Sequence, residues 1–161
     1  MLAGCCLLSA GCKRQAAIPD DSFHLTVENV ITDRDIVVSL LRVHVPHNSM
    51  ISLNSEYSHS MVTLAESSGD APRDGEVALT ASRITRQGDK FAYIQTFMGT
   101  KPNGGAGLTG GASTHPVPAT MTLDTYFTVF AKDGDYKLGQ TIEIAKLDGK
   151  PVTLVVGKPP K

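Results

Sequence analysis

The side chains with the most direct chemical potential are the five histidines, among which His44 and His47 form the one close pair. Histidine pairs at this spacing usually bind a metal from one face of a helix, but Pro46 prevents a helix interior here. In a strand, positions 44 and 47 point to opposite faces. A turn at Pro46, joined by His59, leaves a metal-dependent hydrolase as one hypothesis. Solvated histidines at a strand end are the simpler expectation.

Other motifs for catalysis and ligand binding are incomplete. The chain has no Gly-x-Ser-x-Gly sequence, which would mark a serine nucleophile on a sharp turn. Residues 110–116 (GGASTHP) lack the Gly-Lys-Ser/Thr that completes a phosphate-binding loop. We expect Asp133 and Asp135 to serve a turn around Gly134, since a calcium loop would need more oxygen ligands. The sequence therefore predicts a protein without catalytic residues, metal or cofactor.

Aromatic side chains give a weak indication of a sugar ligand. Tyr57, Tyr93, Tyr126 and Phe130 have rings that could stack on a sugar, but the chain has no Trp and only 6% aromatic residues. Most of these rings lie on alternating, strand-like segments. We expect them to pack against the core, and carbohydrate binding stays an alternative.

The overall charge limits the partners of this protein. A formal net charge of −1 gives no cationic patch for nucleic acid and no reason to adsorb to an anionic membrane. The longest apolar run after the N-terminus, residues 36–41, is far shorter than the roughly 18–20 residues that span a bilayer. Any attachment to a membrane must therefore come from the N-terminus.

All three cysteines lie within residues 1–12 (MLAGCCLLSAGC). This stretch resembles the end of a bacterial lipoprotein signal peptide, where small residues precede a cysteine that is acylated, with palmitate-type chains, and becomes the new N-terminus. The resemblance implies lipidation at Cys12, which follows SAG and precedes a polar segment, or at Cys5, which follows LAG; Cys12 is preferred. The basic n-region of a signal peptide is missing, so we expect a truncated start. A metal or redox site is the alternative, but the spacing contains no C-x-x-C pair.

Behind this signal-like segment we predict a tether and one domain. Residues 13–21 (KRQAAIPDD) are polar and suit a tether, and residues 22–158 are predicted to form a single β domain. No cysteine follows Cys12, so the domain relies on its core rather than on disulfides. In some Gram-negative bacteria, an aspartate directly after the acylated cysteine resembles a signal for retention in the inner membrane. Position 13 is Lys instead, so the outer membrane stays a possible location. The expected location is the cell envelope, lipid-anchored and facing the periplasm or the exterior.

Period-two alternation of apolar residues dominates from Ser22 onward and predicts strands. We predict an all-β fold, an antiparallel β-sandwich or open barrel of about eight to ten short strands. Turns are expected at residues 33–35, 86–90 and 133–135. The predicted strands cover residues 23–27, 36–45, 50–54, 61–65, 76–84, 91–98, 121–130 and 141–156. The start of 36–45 is apolar on both faces, which favours a central strand covered on both sides. Residues 99–118 are predicted to be a flexible glycine-rich loop, either a lid, a partner-binding loop or plain disorder.

The register of the C-terminal hairpin follows from burial of its apolar residues. A two-residue turn at Asp148-Gly149 would oppose Ala145 to Val152 and would mix the two faces. A three-residue loop at 147–149 opposes Ile144 to Val152 and Ile142 to Leu154, and one residue of slip reverses every face. We therefore predict the three-residue loop. Pro151 lacks an N–H, which favours an edge position there.

Together these features predict a non-catalytic extracytoplasmic lipoprotein that acts as a binding or structural module of the cell envelope. Its partners would be a membrane, through the N-terminal lipid, and a protein or glycan ligand, but no nucleic acid. One alternative is a carbohydrate- or peptide-binding domain that uses the glycine-rich loop. The other is a metal-dependent envelope hydrolase that uses His44, His47 or His59.

Overall fold

Alternating apolar residues organise this chain into two packed antiparallel sheets. The computed structural model describes residues 18–46, 48–56, 59–63, 73–100 and 109–161. These ranges contain eleven strands and one helix: β1 (Ser22–Asp33), β2 (Ile36–Val45), β3 (Met50–Asn54), β4 (His59–Thr63), β5 (Arg73–Arg86), β6 (Asp89–Thr100), β7 (Thr109–Pro116), α1 (Leu123–Tyr126), β8 (Phe127–Val129), β9 (Gly134–Lys137), β10 (Thr141–Leu147) and β11 (Lys150–Gly157). The prediction of an all-β fold is confirmed, as a sandwich rather than a barrel.

The large sheet has the strand order β7-β6-β5-β2-β1-β9, and the small sheet has the order β4-β3-β11-β10-β8. Alternate residues of both sheets face the space between them and form one buried core. The large sheet contributes Phe23, Leu25, Leu41, Val43, Val77 and Leu79, and the small sheet contributes Ile51, Leu53, Ile144, Leu154 and Val156. No helix in the described ranges is long and apolar enough to cross a membrane.

The β5–β6 hairpin lies where it was predicted, but its turn is shorter than the predicted 86–90, since Arg86 already pairs with Asp89. Gln87 and Gly88 form its two-residue turn with φ values of +49° and +87°, which match the twist of the flanking strands. In β5 the shared face of Val77, Leu79 and Ala81 is fully buried. In β6 the inner face carries Ala92, Ile94 and Thr96, so Phe91 and Tyr93 point to the opposite side of the large sheet.

The strand β2 lies inside the large sheet, between β1 and β5, as expected. Its predicted cover on both sides is absent from the described part of the chain. Val38 and Leu40 are only half-buried on the outer face, and Ile36 is exposed. The apolar start of β2 therefore produces an apolar outer surface rather than a second buried layer.

The prediction of a three-residue loop in the C-terminal hairpin was wrong. The hairpin does contain one extra residue, as the burial pattern required, but not in the turn. Leu147 pairs with Lys150 around a two-residue turn, in which Asp148 and Gly149 both have positive φ. The extra residue sits further along β10, where the register shifts between Glu143 and Ala145. Because of this bulge, Ile144 and Ala145 are both buried, and Ile142 still lies opposite Leu154 as predicted.

The prediction of an edge position at Pro151 is confirmed locally: β11 is the central strand of the small sheet, but β3 does not reach Pro151. The pair that flanks a two-residue turn is hydrogen-bonded, so the next pair, Lys146 and Pro151, is not. The nitrogen of Pro151 therefore faces the β3 side, where pairing begins only at Thr153. The ring costs no ladder hydrogen bond at this position.

Three other segments differ from their predicted form: residues 121–130, 133–135 and the glycine-rich segment 99–118. Within the predicted strand 121–130, residues 123–126 form a helical turn instead, since Leu123 and Tyr126 are both buried and one turn places them on the same side. Of the predicted turn at 133–135, residues 134 and 135 instead begin β9.

The predicted glycine-rich loop 99–118 contributes to two strands: its first two residues end β6, and residues 109–116 form β7 along β6. Backbone pairing with β6 holds this segment although its side chains are small. The middle of the predicted loop lies outside the described residues.

The turn at Gly149 provides a direct test of this hairpin. Gly149 has a φ of +74°, and a Cβ added there would meet nothing within 4 Å, so Gly149→Ala should cost only backbone strain, about 1–2 kcal/mol. Gly157→Ala is the matched control, because Gly157 has equally open surroundings and no positive φ. Urea unfolding of both variants measures the difference, and equal stabilities would contradict the assigned turn.

Candidate functional site

Two histidines meet on the outer face of the large sheet. His24 in β1 lies directly opposite His44 in β2, and on its other side it lies opposite Asp135 in β9. The Asp135 Oδ1 atom is 2.7 Å from His24 Nδ1. Directly opposed residues of neighbouring strands share a face, so the three side chains form one row across three strands.

The polar surface continues beside this row. Arg42 lies in the next outer position of β2, opposite Thr26, and its Nη2 atom is 2.6 Å from Glu28 Oε1. Both side chains are about a quarter exposed (30% and 26%), which makes this ion pair the better shielded of the contacts on this face. Charged groups are thus concentrated at one end of the outer face, while Val38 and Leu40 occupy its middle.

A bulge in β1 creates the histidine pair. The hairpin register starts with Asp33 opposite Ile36, and without a shift it would place His24 opposite Val45. The register shift between Val27 and Asn29 moves His24 opposite His44 instead. Sequence reasoning had considered His44 but not His24, because periodicity alone does not locate a bulge.

The acids of the 133–135 segment bind β1 rather than their own turn. Asp133 Oδ1 accepts a hydrogen bond of 2.6 Å from the Val27 amide, just beyond the end of the β1–β9 ladder. Tyr136 stacks on Phe23 with ring centroids 5.6 Å apart. These contacts explain why β9 docks on β1, and they give both acids a structural role.

The predicted metal ligands are only partly placed. His44 pairs with His24, whereas His47 and the side chain of His59 lie outside the described residues. Within the described ranges no group of three or more histidine, cysteine, aspartate or glutamate side chains has the arrangement of a metal site. The lipidation candidates Cys12 and Cys5 also lie outside these ranges.

The candidate sugar-stacking rings do not form one surface. Tyr126 is buried in the core, and Phe130 is exposed beneath the Lys146 ammonium, which lies 5.9 Å from its ring centre. Tyr93 is half-buried on the outer face of β6, and Tyr57 lies outside the described residues.

A second polar cluster lies at one margin of the sandwich, on the inner face of β7. Ser113 and His115 lie opposite the buried residues Ile94 and Ala92, so both point inwards. The His115 Nε2 atom is 2.8 Å from Ser113 Oγ. This contact alone does not make a nucleophile, which would also need donors placed to bind an oxyanion.

Burial lowers the pKa of His115, and the carboxylate of Asp148 at the β10–β11 turn partly opposes this shift. The imidazole is therefore mostly neutral near pH 7, with one nitrogen facing the Ser113 hydroxyl. Arg83 lies on the same inner row, opposite Ala92, and its Nε and Nη2 atoms are buried without a hydrogen-bond partner in the described structure. The cluster is therefore polar, and two of its buried nitrogen atoms make no hydrogen bond in the described structure.

A shallow depression of about 370 Å³ opens where β7 leaves β6. Apolar atoms of Phe91, Pro116 and Val117 form much of its wall, and Asp89 and Lys90 supply charged groups beside them. The depression lies at the end of the predicted glycine-rich loop. It has the size to hold one small group of a ligand rather than an extended chain.

Comparisons with known proteins give this chain no relatives. No family model matches it, and neither the curated proteins nor the solved structures contain a significant match.

The lowered pKa of His115 predicts how stability depends on pH. The unfolded chain binds the His115 proton more tightly than the folded chain, so this contribution to stability is complete above the ordinary value of 6.5 and is lost as the pH falls below it. We expect His115→Gln to reduce the fall in melting temperature between about pH 7 and pH 5. The control His24→Gln should retain that fall. A pH profile of His115→Gln that matches the original protein would contradict the assignment.

Proposed function

We propose that this protein is a non-catalytic module of the cell envelope, acylated at Cys12 and tethered to a membrane by residues 13–21. Its β-sandwich would bind or support a protein or glycan of the envelope. The observation that carries the proposal is the position of the first strand directly after the tether. The Ser22 amide donates a 3.0 Å hydrogen bond to the Pro19 carbonyl, and β1 begins at Ser22.

The length of the tether sets the reach of the domain. Ten residue steps separate Cys12 from Ser22, and a fully extended chain spans at most about 33–36 Å over this distance. A sandwich on such a tether stays close to the membrane surface, while each buried acyl CH₂ contributes about 0.8 kcal/mol to anchoring. This arrangement suits a module that acts on other components of the same envelope layer.

The construction of the domain also supports an exported module. Its apolar core is built from both sheets, and the sequence has no cysteine after Cys12. The fold therefore needs no disulfide to form in an oxidising compartment. The domain also contains no thiol that such a compartment could oxidise.

Lipidation at Cys12 is tested by intact mass and fractionation. We would express the chain in a bacterial host with a basic n-region fused ahead of Met1, and extract the membranes with detergent. The expected product begins at an acylated Cys12, and Cys12→Ser should move the domain to the soluble fraction. Cys5→Ser is the matched control and should remain in the membrane. A mature mass that starts at Cys5, or an unmodified chain, would refute the proposal.

The depression beside Phe91 favours glycan or peptide binding as a second candidate function. Apolar and charged groups meet there at an edge of the large sheet. We expect soluble peptidoglycan fragments to bind weakly, and Phe91→Ala to reduce their affinity by about tenfold. Tyr93→Ala is the control, because Tyr93 lies two residues along the same face of β6 and outside the depression. Calorimetric titration distinguishes the two variants, and equal losses would rule out this site.

A further inference from the structure

The strand β1 has an edge that is only half covered. On one side β1 pairs with β2 as far as Asp33, but on the other side β9 pairs only with residues 22–25. The Asp133 carboxylate then caps the Val27 amide. Beyond this cap, no strand in the described ranges pairs with the outer edge of residues 28–33.

The hairpin register shows which backbone groups this edge presents. Asp33 and Ile36 flank a two-residue turn and form a hydrogen-bonded pair. Because such pairs alternate with non-hydrogen-bonded pairs, Val30 and Thr32 direct their N–H and C=O groups away from β2. An exposed edge of this kind is a template for another strand.

Apolar side chains lie beside the same edge. Four large hydrophobic residues are exposed to solvent in the described structure. Three of them lie here: Val30, Ile31 and Ile36, which are 49%, 48% and 44% exposed. Ile31 lies opposite Val38 on the outer face, next to Ile36. The open backbone edge therefore has an apolar surface on its flank.

We propose that two copies of this chain associate through the open edge of β1, antiparallel, about a two-fold axis at Ile31. The two large sheets would then form one continuous sheet. An antiparallel edge is self-complementary, since the same residues supply both halves of the contact.

The axis position follows from the hydrogen-bonding groups. With the axis at Ile31, Val30 lies opposite the partner's Thr32 and Thr32 lies opposite the partner's Val30, so both outward-facing residues of each strand pair. An axis at Val30 would bring Thr32 opposite the irregular position Glu28, and an axis at Thr32 would bring Val30 opposite the turn. The Ile31 axis alone uses all the outward-facing groups.

Charge complementarity supports the same register. With the axis at Ile31, Glu28 lies opposite the partner's Arg34, and Asn29 lies opposite the partner's Asp33. Glu28 also pairs with Arg42 within its own chain, so its carboxylate would join two cations. The neighbouring registers instead set Glu28 opposite Thr32 or Ile36. An extended peptide from another protein could use the same edge, but it would not require this symmetric match.

A cysteine at the proposed axis tests the register. In the full-length chain with Cys5→Ser, Cys6→Ser and Cys12→Ser, the two copies of Ile31→Cys would form a non-hydrogen-bonded pair with Cα atoms about 4.5 Å apart, which suits a disulfide. Ile36→Cys is the control, since its exposure is similar but its two copies would be about 20 Å apart, separated by three strand spacings across the sheet and four residues along it. We expect rapid dimer formation by Ile31→Cys under mild oxidation. Equal or faster cross-linking by Ile36→Cys would overturn the proposal.

Sedimentation velocity up to millimolar concentration tests the association itself. The cysteine-free chain should dimerise reversibly, and Thr32→Pro should weaken the dimer about tenfold or more, because it removes an outward-facing N–H that β2 does not use. Thr32→Ala keeps the N–H and should dimerise normally. A chain that is monomeric throughout, or a dimer unaffected by Thr32→Pro, would refute the proposal. Circular dichroism checks that Thr32→Pro is folded, and the cysteine pair decides the question if it is not.

Discussion

The burial of Phe23 and Leu25 requires an extra residue in β1, and much of the large sheet depends on it. The turn after Asp33 sets the pairing of β1 with β2, and its register continued unchanged would place Phe23 and Leu25 on the outer face. The bulge at Glu28 returns both side chains to the core, where they are fully buried. It thereby brings His24 beside His44, and it aligns Phe23 with Tyr136 of β9. One extra residue thus allows β1 to bury Phe23 and Leu25 at its start and to keep the pairing set by the turn at its end.

The same conflict is resolved in the same way in β10. The Asp148-Gly149 turn sets a register in which continued alternation would expose Ile144 and Ile142. A bulge at Ile144 lets Ile144 and Ala145 both reach the core, and the freed Ile144 carbonyl accepts hydrogen bonds from the Phe130 and Ala131 amides at 3.0 Å. The bulge therefore also fixes the segment that follows β8.

These two bulges show what the sequence could and could not predict. Periodicity identified most strands, and the mixed faces in the C-terminal hairpin correctly signalled one residue too many. Its position was not predictable, because a longer turn and a bulge satisfy the same burial pattern. The candidate sites could not be predicted for the same reason. The His24–His44 row depends on a bulge, and the contact between His115 and Ser113 depends on a glycine-rich segment that pairs as a strand. Neither arrangement has a local sequence motif.

The bulge at Glu28 also explains why β9 cannot cover the whole of β1. Before the bulge, the odd-numbered residues direct their backbone N–H and C=O groups to the outer edge of β1, where they pair with β9 or, at Val27, with Asp133. After the bulge, the backbone groups of Val30 and Thr32 point to this edge instead, so a straight continuation of β9 would meet hydrogen-bonding groups at the wrong spacing. The covered and the open halves of this edge are therefore separated at the bulge by backbone geometry. A strand that pairs with the open half must therefore be another segment of the chain than β9, or must belong to another molecule. The exposed side chains of Ile31 and Ile36 beside this edge favour a partner that also buries apolar surface.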